Sequence, residues 1–327
     1  MKKILVAFAL AAAATLHDPA GASAQSWPSR PITVIVPYAA GGPVDTVARI
    51  VTQRMSETLG QSIIIENVPG AGGMSGSARV AKATPDGYTL LLSGSATLAQ
   101  VPNLYKKTPY NPLTDFEHVV LHSDSARILI TRPDFPANNL AEFIAYSKAN
   151  QASMQYGSAG AGSGLHICAV LLNGAMGTKM MHVPYRGSAL SVQDLIAGRI
   201  DFMCDQISTA LPQIRGHNVK AIATLGLDRA PGLEELPTAD EQGIKGLDCG
   251  SWGSFSAPKG TPSEIVQRLA KASNEAVETP AVRDRLKVLG VVVPTAERRT
   301  PEYLAKFVAS ELERWAVPIK ASGVSAD

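Results

Sequence analysis

The chain has 327 residues, with 30 Lys and Arg against 28 Asp and Glu and a formal charge of +2. That near balance offers no strong field for nucleic acid or an anionic membrane, and the length suits two modest domains or one large one. The only cysteines, Cys168, Cys204 and Cys249, are spaced neither as a CxxC redox pair nor as a zinc site.

Lys2 and Lys3 precede an apolar run from Ile4 to Leu16, and Ala22-Ser23-Ala24 places small residues before Gln25, so residues 1–24 read as a cleavable export signal. The run falls short of the roughly 20 apolar residues that span a bilayer, and no cysteine near the cleavage region suggests a lipoprotein. Loss of Lys2, Lys3 and Asp18 with the leader takes the charge from +2 to +1. No later apolar run is long enough to span a membrane. In an oxidising compartment the pair to test for a disulfide is Cys204 with Cys249, whereas the apolar surroundings of Cys168 and Cys204 suit buried free thiols.

The mature chain alternates strand and helix patterns. Ile32 to Val36 is a β-branched run that stops at Pro37, and Val44, Val47, Ala48, Val51, Met55 and Leu59 then recur at helical spacing. Ile63 to Glu66 reads as the next strand. A Gly-rich turn, Pro69 to Gly73, leads to a short helix ending near Thr84, and Pro85-Asp86-Gly87 turns into the strand Tyr88 to Leu92. Further on, Leu140 to Ala149 is a helix capped by Asn138 or Asn139, Met154 to Gly157 is a strand, and a Gly/Ser loop opens into a helix from Leu165 to Leu172. Strands follow at Met180 to Val183, Ile200 to Met203 and Ala221 to Leu225. Thr279-Pro280 opens a helix that stops at Gly290, and Thr300-Pro301 opens another with Leu304, Phe307, Val308, Leu312 and Trp315 on one face. Repeated βαβ units predict a parallel α/β sheet. No single polar linker separates two halves, which suits a chain that crosses twice between lobes.

Motifs for enzyme chemistry are missing. GxSxG, GxxxxGK[ST] and HExxH do not occur, and the stretches Gly70 to Gly76 and Gly157 to Gly164 both miss the GxGxxG register. His118 and His122 lie on a predicted strand, about 13 Å apart at 3.3 Å per residue, too far to share a metal. The informative features are two strand-to-helix turns: Pro37-Tyr38-Ala39-Ala40-Gly41-Gly42-Pro43, and Gly157-Ser158-Ala159-Gly160-Ala161-Gly162-Ser163-Gly164. Unpaired N–H groups and the positive helix end at each turn can cradle an oxyanion, and both fall at carboxyl ends of strands, where ligands gather in α/β sheets. The alternative is that the glycines only form tight turns. Asp45 reads as a helix cap with ligand contact as the alternative, Arg49 as a residue of the solvated helix face rather than of a cleft, and Met180-Met181 as core.

The whole mature chain resembles the Bug family of TctC-like solute receptors of tripartite tricarboxylate transporters. The resemblance rests on Pro37 to Arg49 with Gly41-Gly42 and Asp45, Glu66-Asn67 with Pro69 to Gly73, and Pro85-Asp86-Gly87-Tyr88-Thr89-Leu90-Leu91. It continues through Leu104-Tyr105, Asp115-Phe116, Tyr156-Gly157-Ser158 with His166, Val183-Pro184-Tyr185-Arg186-Gly187, Ile200-Asp201-Phe202-Met203 and Ala257 to Pro262. It implies a type II periplasmic-binding-protein fold: two doubly wound α/β lobes joined by two crossing strands near Ser123 to Arg127 and Cys249 to Gly253. Lobe 1 is then residues 25–125 plus 252–327, and lobe 2 is residues 126–251. The implied function is a periplasmic, monomeric receptor, not an enzyme, that binds a small organic acid between the lobes and hands it to the membrane subunits of the transporter, with no metal, cofactor or nucleic acid. A clamshell of this kind presenting its ligand to a sensor kinase, or a periplasmic hydrolase, are the competing functions.

In the family the carboxylate is held by main-chain groups and bridging water rather than by an arginine. Carried onto this chain, the binding residues are Tyr38, Ala39, Gly41, Gly42, Pro43, Ser93 and Ser95 from the first lobe. The second lobe supplies Ser158, Ala159, Gly160, Ser163, Tyr185, Gly187 and Asp205. Val101, Val68 and Val170 replace residues that are usually polar or charged in the family, which points towards a less polar ligand.

Overall fold

The computed structural model describes residues 27–323; the export signal and its cleavage point lie outside them. Two five-stranded sheets organise the chain. The first contains β1 (Ile32–Val36), β2 (Ile63–Asn67), β3 (Thr89–Gly94), β4 (Phe116–Ser125) and β10 (Ser251–Pro258), in the order β2-β1-β3-β10-β4. The second contains β5 (Arg127–Thr131), β6 (Gln155–Ser158), β7 (Met181–Pro184), β8 (Phe202–Gln206) and β9 (Lys220–Thr224), in the order β7-β6-β8-β5-β9.

Neither sheet is wholly parallel, contrary to the expectation from the βαβ pattern. β10 runs antiparallel to β3 and β4, and β5 runs antiparallel to β8 and β9. The reason lies in the connections: a helix crossover returns a strand parallel to its neighbour, but β5 and β10 each enter from the opposite sheet. Only Ala126 separates β4 from β5, and the chain comes back through residues 225–250 into β10. There β4 and β10 pair, with Ser125 opposite Ser251 and Asp124 opposite Trp252.

Local chemistry sets the helix boundaries. Helix α1 (Pro43–Leu59) starts with Pro43 in its first turn, where a missing N–H costs nothing, and ends on the left-handed Gly60. The helices α2 (Met74–Ala81) and α3 (Val101–Leu104) flank β3. At α4 (Leu140–Asn150) the cap is Asn139, whose side chain accepts the Glu142 N–H at 2.9 Å. Ser163 caps α5 (Gly164–Met176), and α6 (Ser188–Ile196) and α7 (Ile207–Arg215) follow β7 and β8. The chain ends in α8 (Ser263–Glu278), α9 (Pro280–Val288) and α10 (Pro301–Ala321), the last capped by Thr300.

Both faces of each sheet are covered. Leu90 and Leu92 of β3 join one apolar cluster with α1 and α8, while Leu91 joins another with α10 residues such as Leu304 and Trp315. Consecutive buried leucines are what a central strand packed on both faces requires, and each such side chain contributes about 1.5–3 kcal/mol of transfer free energy. Matching clusters sandwich the second sheet around Phe143 and Phe202 on one side and Met203 and Leu211 on the other. This is the doubly wound, two-lobed type II periplasmic-binding-protein fold. Met180 is core as expected, but Met181 lies on the edge strand β7 and is exposed. All three cysteines are buried free thiols, so Cys204 and Cys249 form no disulfide; the Cys249 thiol instead points to the Cys168 carbonyl.

Candidate ligand-binding site

Four helices start at the seam between the two sheets, and their N-terminal caps converge. Gly42 precedes α1, Ser163 precedes α5, Gly187 precedes α6 and Gln206 precedes α7. All four line one cavity. First-turn N–H groups lack intrahelical acceptors and carry the positive end of the helix dipole, so the arrangement favours an anion. Tyr38, Ala39, Pro43, Ser95 and Ala159 complete the part foreseen from the sequence, and Ser188, Ser251, Trp252 and Arg127 add to it. Arg127 is the only charged residue of that lining.

Several residues singled out from the sequence stand elsewhere, each because a local partner claims it. The Gly41 N–H donates to Asp45 at 2.9 Å and is lost to a ligand. Asp45 is a buried hub that also receives Arg49 at 2.9 Å and the Asn67 amide at 3.0 Å. Burial pushes its pKa up, but the hydrogen bonds from Arg49, Gly41 and Asn67 and the charge of Arg49 outweigh that and hold it below the usual carboxylate range. Ser93 is buried within β3 opposite Ser254 of β10. The Ser158 hydroxyl accepts the Gly160 N–H at 3.1 Å and lies 2.7 Å from His182 Nε2.

Gly160 and Tyr185 belong to an outer part of the cleft shared with Arg186 and the Pro69–Gly73 turn, and the Tyr185 hydroxyl donates to Asp194 at 2.8 Å. Asp205 is fully buried behind Ser188, accepting from Ser188 at 2.9 Å and from Thr209 at 2.6 Å. Burial raises its pKa, opposed by the Thr209 and Ser188 hydroxyls and the charge of Arg127.

The Ser158–His182 pair has the spacing of a nucleophile and base. It lines neither the inner cavity nor the outer cleft, and Ser158 is fully buried. Among the described residues no group of His, Cys, Asp and Glu is arranged to hold a metal ion, and no helix is long and apolar enough to cross a membrane.

Sequence reasoning missed Arg127, Ser188, Gln206 and Ser251. Arg127 had a usable signal: it opens the apolar run Ile128-Leu129-Ile130 next to a crossing strand, a place where a solvated arginine does not fit.

Comparison with known proteins agrees with this architecture. The profile of the family described as "Tripartite tricarboxylate transporter family receptor" matches residues 47–324. A UPF0065 protein of Agrobacterium vitis is 42% identical over 300 residues, covering 91% of this chain and 86% of its own length. The solved structure of the periplasmic binding protein BugD superposes with a TM-score of 0.88 at 40% identity, over 91% of this chain and 99% of BugD. MatC from Rhodopseudomonas palustris with bound malate gives a TM-score of 0.87 at 40% identity, over 90% of this chain and all of MatC, 100%.

Proposed function

The chain belongs to the tripartite tricarboxylate transporter receptor family, and from that premise we propose that it captures a small carboxylate in the periplasm and delivers it to a membrane transporter of that type. The family is one of solute-binding receptors rather than enzymes. Residues 1–24 direct export and are removed before Gln25, and the mature protein acts as a monomer. Lobe 1 is residues 25–125 with 252–327, lobe 2 is residues 126–251, and the ligand occupies the cavity between them.

One observation carries the reading: four helix N-termini, one from lobe 1 and three from lobe 2, line a single cavity that contains a cation and no carboxylate. The residues proposed to touch the ligand are Tyr38, Ala39, Gly42, Pro43, Ser95, Ala159, Ser163 and Gly187. A neighbour of the same fold at 40% identity is described with bound malate, which supports an aliphatic acid as the first class to try.

The test is native mass spectrometry of protein released from the periplasm, followed by thermal shift against malate and unbranched diacids of graded length. We expect a chain beginning at Gln25, and a stabilisation of about 2.7 kcal/mol at an acid concentration one hundredfold above its dissociation constant. An intact Met1 refutes the export step, and absence of a shift with every acid refutes the carboxylate.

A further inference from the structure

Arg127 opens β5 immediately after the chain crosses between lobes, and only 1% of it is exposed. Its Nη1 donates to the Cys249 carbonyl, its Nε has no partner, and no carboxylate of the described residues pairs with it. That is unusual, because taking a guanidinium out of water without a counter-ion costs several kcal/mol. The other well-shielded arginines follow the rule: Arg299 pairs with Glu278 and Arg132 with Asp134 and Asp201. Asp205, close enough to feel the charge of Arg127, spends its oxygens on Ser188 and Thr209.

Two further features surround the same point. Gln100 is fully buried, and neither its amide nitrogen nor its oxygen has a partner. Gly164, the first residue of α5, leaves room beside both: a Cβ there would lie 2.2 Å from Arg127 Nη2 and 3.1 Å from Gln100 Oε1. Arg127 and Gly164 both line the cavity. The molecule thus holds a buried cation with no ion-pair partner at the α5 N-terminus, in the lining of the cavity.

We propose that Arg127 is the counter-ion of the ligand: its guanidinium takes one carboxylate on the hinge side of the cavity, with Gln100 as a neutral positioning partner beside it. This rests on the carboxylate reading above and adds a side-chain anchor to recognition that the family resemblance had assigned to main-chain groups. The bound anion supplies the charge that the fold omits, which makes a neutral analogue of the same shape a poor ligand because it leaves the guanidinium unpaired.

The experiment uses the mature protein and malate, or whichever diacid of the graded series gives the largest wild-type shift. Titration calorimetry is run on wild type, Arg127→Met and Arg127→Lys, with melting of each without ligand. We expect Arg127→Met to bind about 100-fold more weakly while melting at or above the wild-type temperature, since an apolar chain replaces an unpaired charge. Arg127→Lys should fall between the two. Affinity of Arg127→Met within threefold of wild type overturns the proposal and leaves the carboxylate reading intact, whereas failure of wild type to bind any acid removes that reading first. If Arg127→Met does not fold, the Nε–H resonance of Arg127 in ¹⁵N-labelled wild type decides: a shift at saturation supports direct contact, and an unmoved resonance refutes it.

Discussion

A single methyl group at Gly187 should separate lobe closure from lobe folding. Gly187 has φ of 173°, an extended conformation open to any residue, so Gly187→Ala introduces no backbone strain. What it introduces is a Cβ only 2.7 Å from the Cβ of Ala39, with the Ala39 Cα next at 4.0 Å. Ala39 follows β1 of the first sheet and Gly187 follows β7 of the second, so the clash exists only when the lobes are together. Ordinary contact between such carbons needs about 3.5–4 Å, and overpacking of this kind costs about 1–3 kcal/mol. Charged against closure, that cost weakens ligand binding by about 5- to 150-fold. The melting temperature without ligand should be unchanged. Removing the opposing methyl should restore the fit, so Gly187→Ala with Ala39→Gly should bind within a fewfold of Ala39→Gly alone. Calorimetry gives the affinities, and small-angle scattering gives the radius of gyration, which should shrink with ligand in wild type and shrink less in Gly187→Ala. Wild-type affinity in the single variant, or no recovery in the double variant, would show that the lobes do not meet here in the bound state.

Other expectations concern buried groups away from the cavity. Burial pushes the His118 imidazole down to about 4, with Glu117 and Lys259 acting on it in opposite directions, and pushes His122 down to about 3. Both are held neutral in the folded protein, so the unfolded chain takes up protons first as the pH drops below its value near 6.5. Their contribution to stability is complete above pH 6.5 and is lost as the pH falls towards 4 and 3, with about 2 kcal/mol lost per histidine by pH 5. Melting curves from pH 8 to pH 5 should show the decline, and His122→Phe should flatten part of it; identical slopes for the two proteins would refute the assignment. Cys168, Cys204 and Cys249 are all buried and free, so a thiol reagent should find none in the native protein and three after denaturation, whereas a bridged pair would leave one.

The sequence made some layers of this structure legible and hid others. Helix starts were readable because their determinants are local: Pro43 behind Gly42, Ser163 before α5, and Thr300-Pro301 before α10 all act within one turn. The reversed direction of β5 and β10 was not readable, since strand direction depends on which lobe the chain arrives from. β10 was hidden further by Gly253 and the alternating serines of Ser251-Trp252-Gly253-Ser254-Phe255-Ser256, which weaken its apolar signal. At the site, the sequence located the turns but not which donors were already spent. Gly41 and Gly42 look equivalent as letters, and only the fold gives the Gly41 N–H to Asp45.

Arg127 was missed for a related reason. A lone arginine in a sequence is usually a solvated side chain, and the apolar run Ile128-Leu129-Ile130 after it hints at burial without showing that β5 starts beside the cavity. That position bears on how binding and closure are linked. A ligand shifts an equilibrium between open and closed forms only by the difference in its affinity for the two. The Gly42 cap comes from the lobe containing β1, the Ser163, Gly187 and Gln206 caps come from the other, and Arg127 opens β5 of that second sheet directly after the crossing. No one lobe presents the whole set, so a carboxylate reaches all of these groups only when the lobes have come together. The interactions completed on closing are then the ones that stabilise it, and the absence of bulk at Gly187 is what lets the two lobes approach closely enough to complete them.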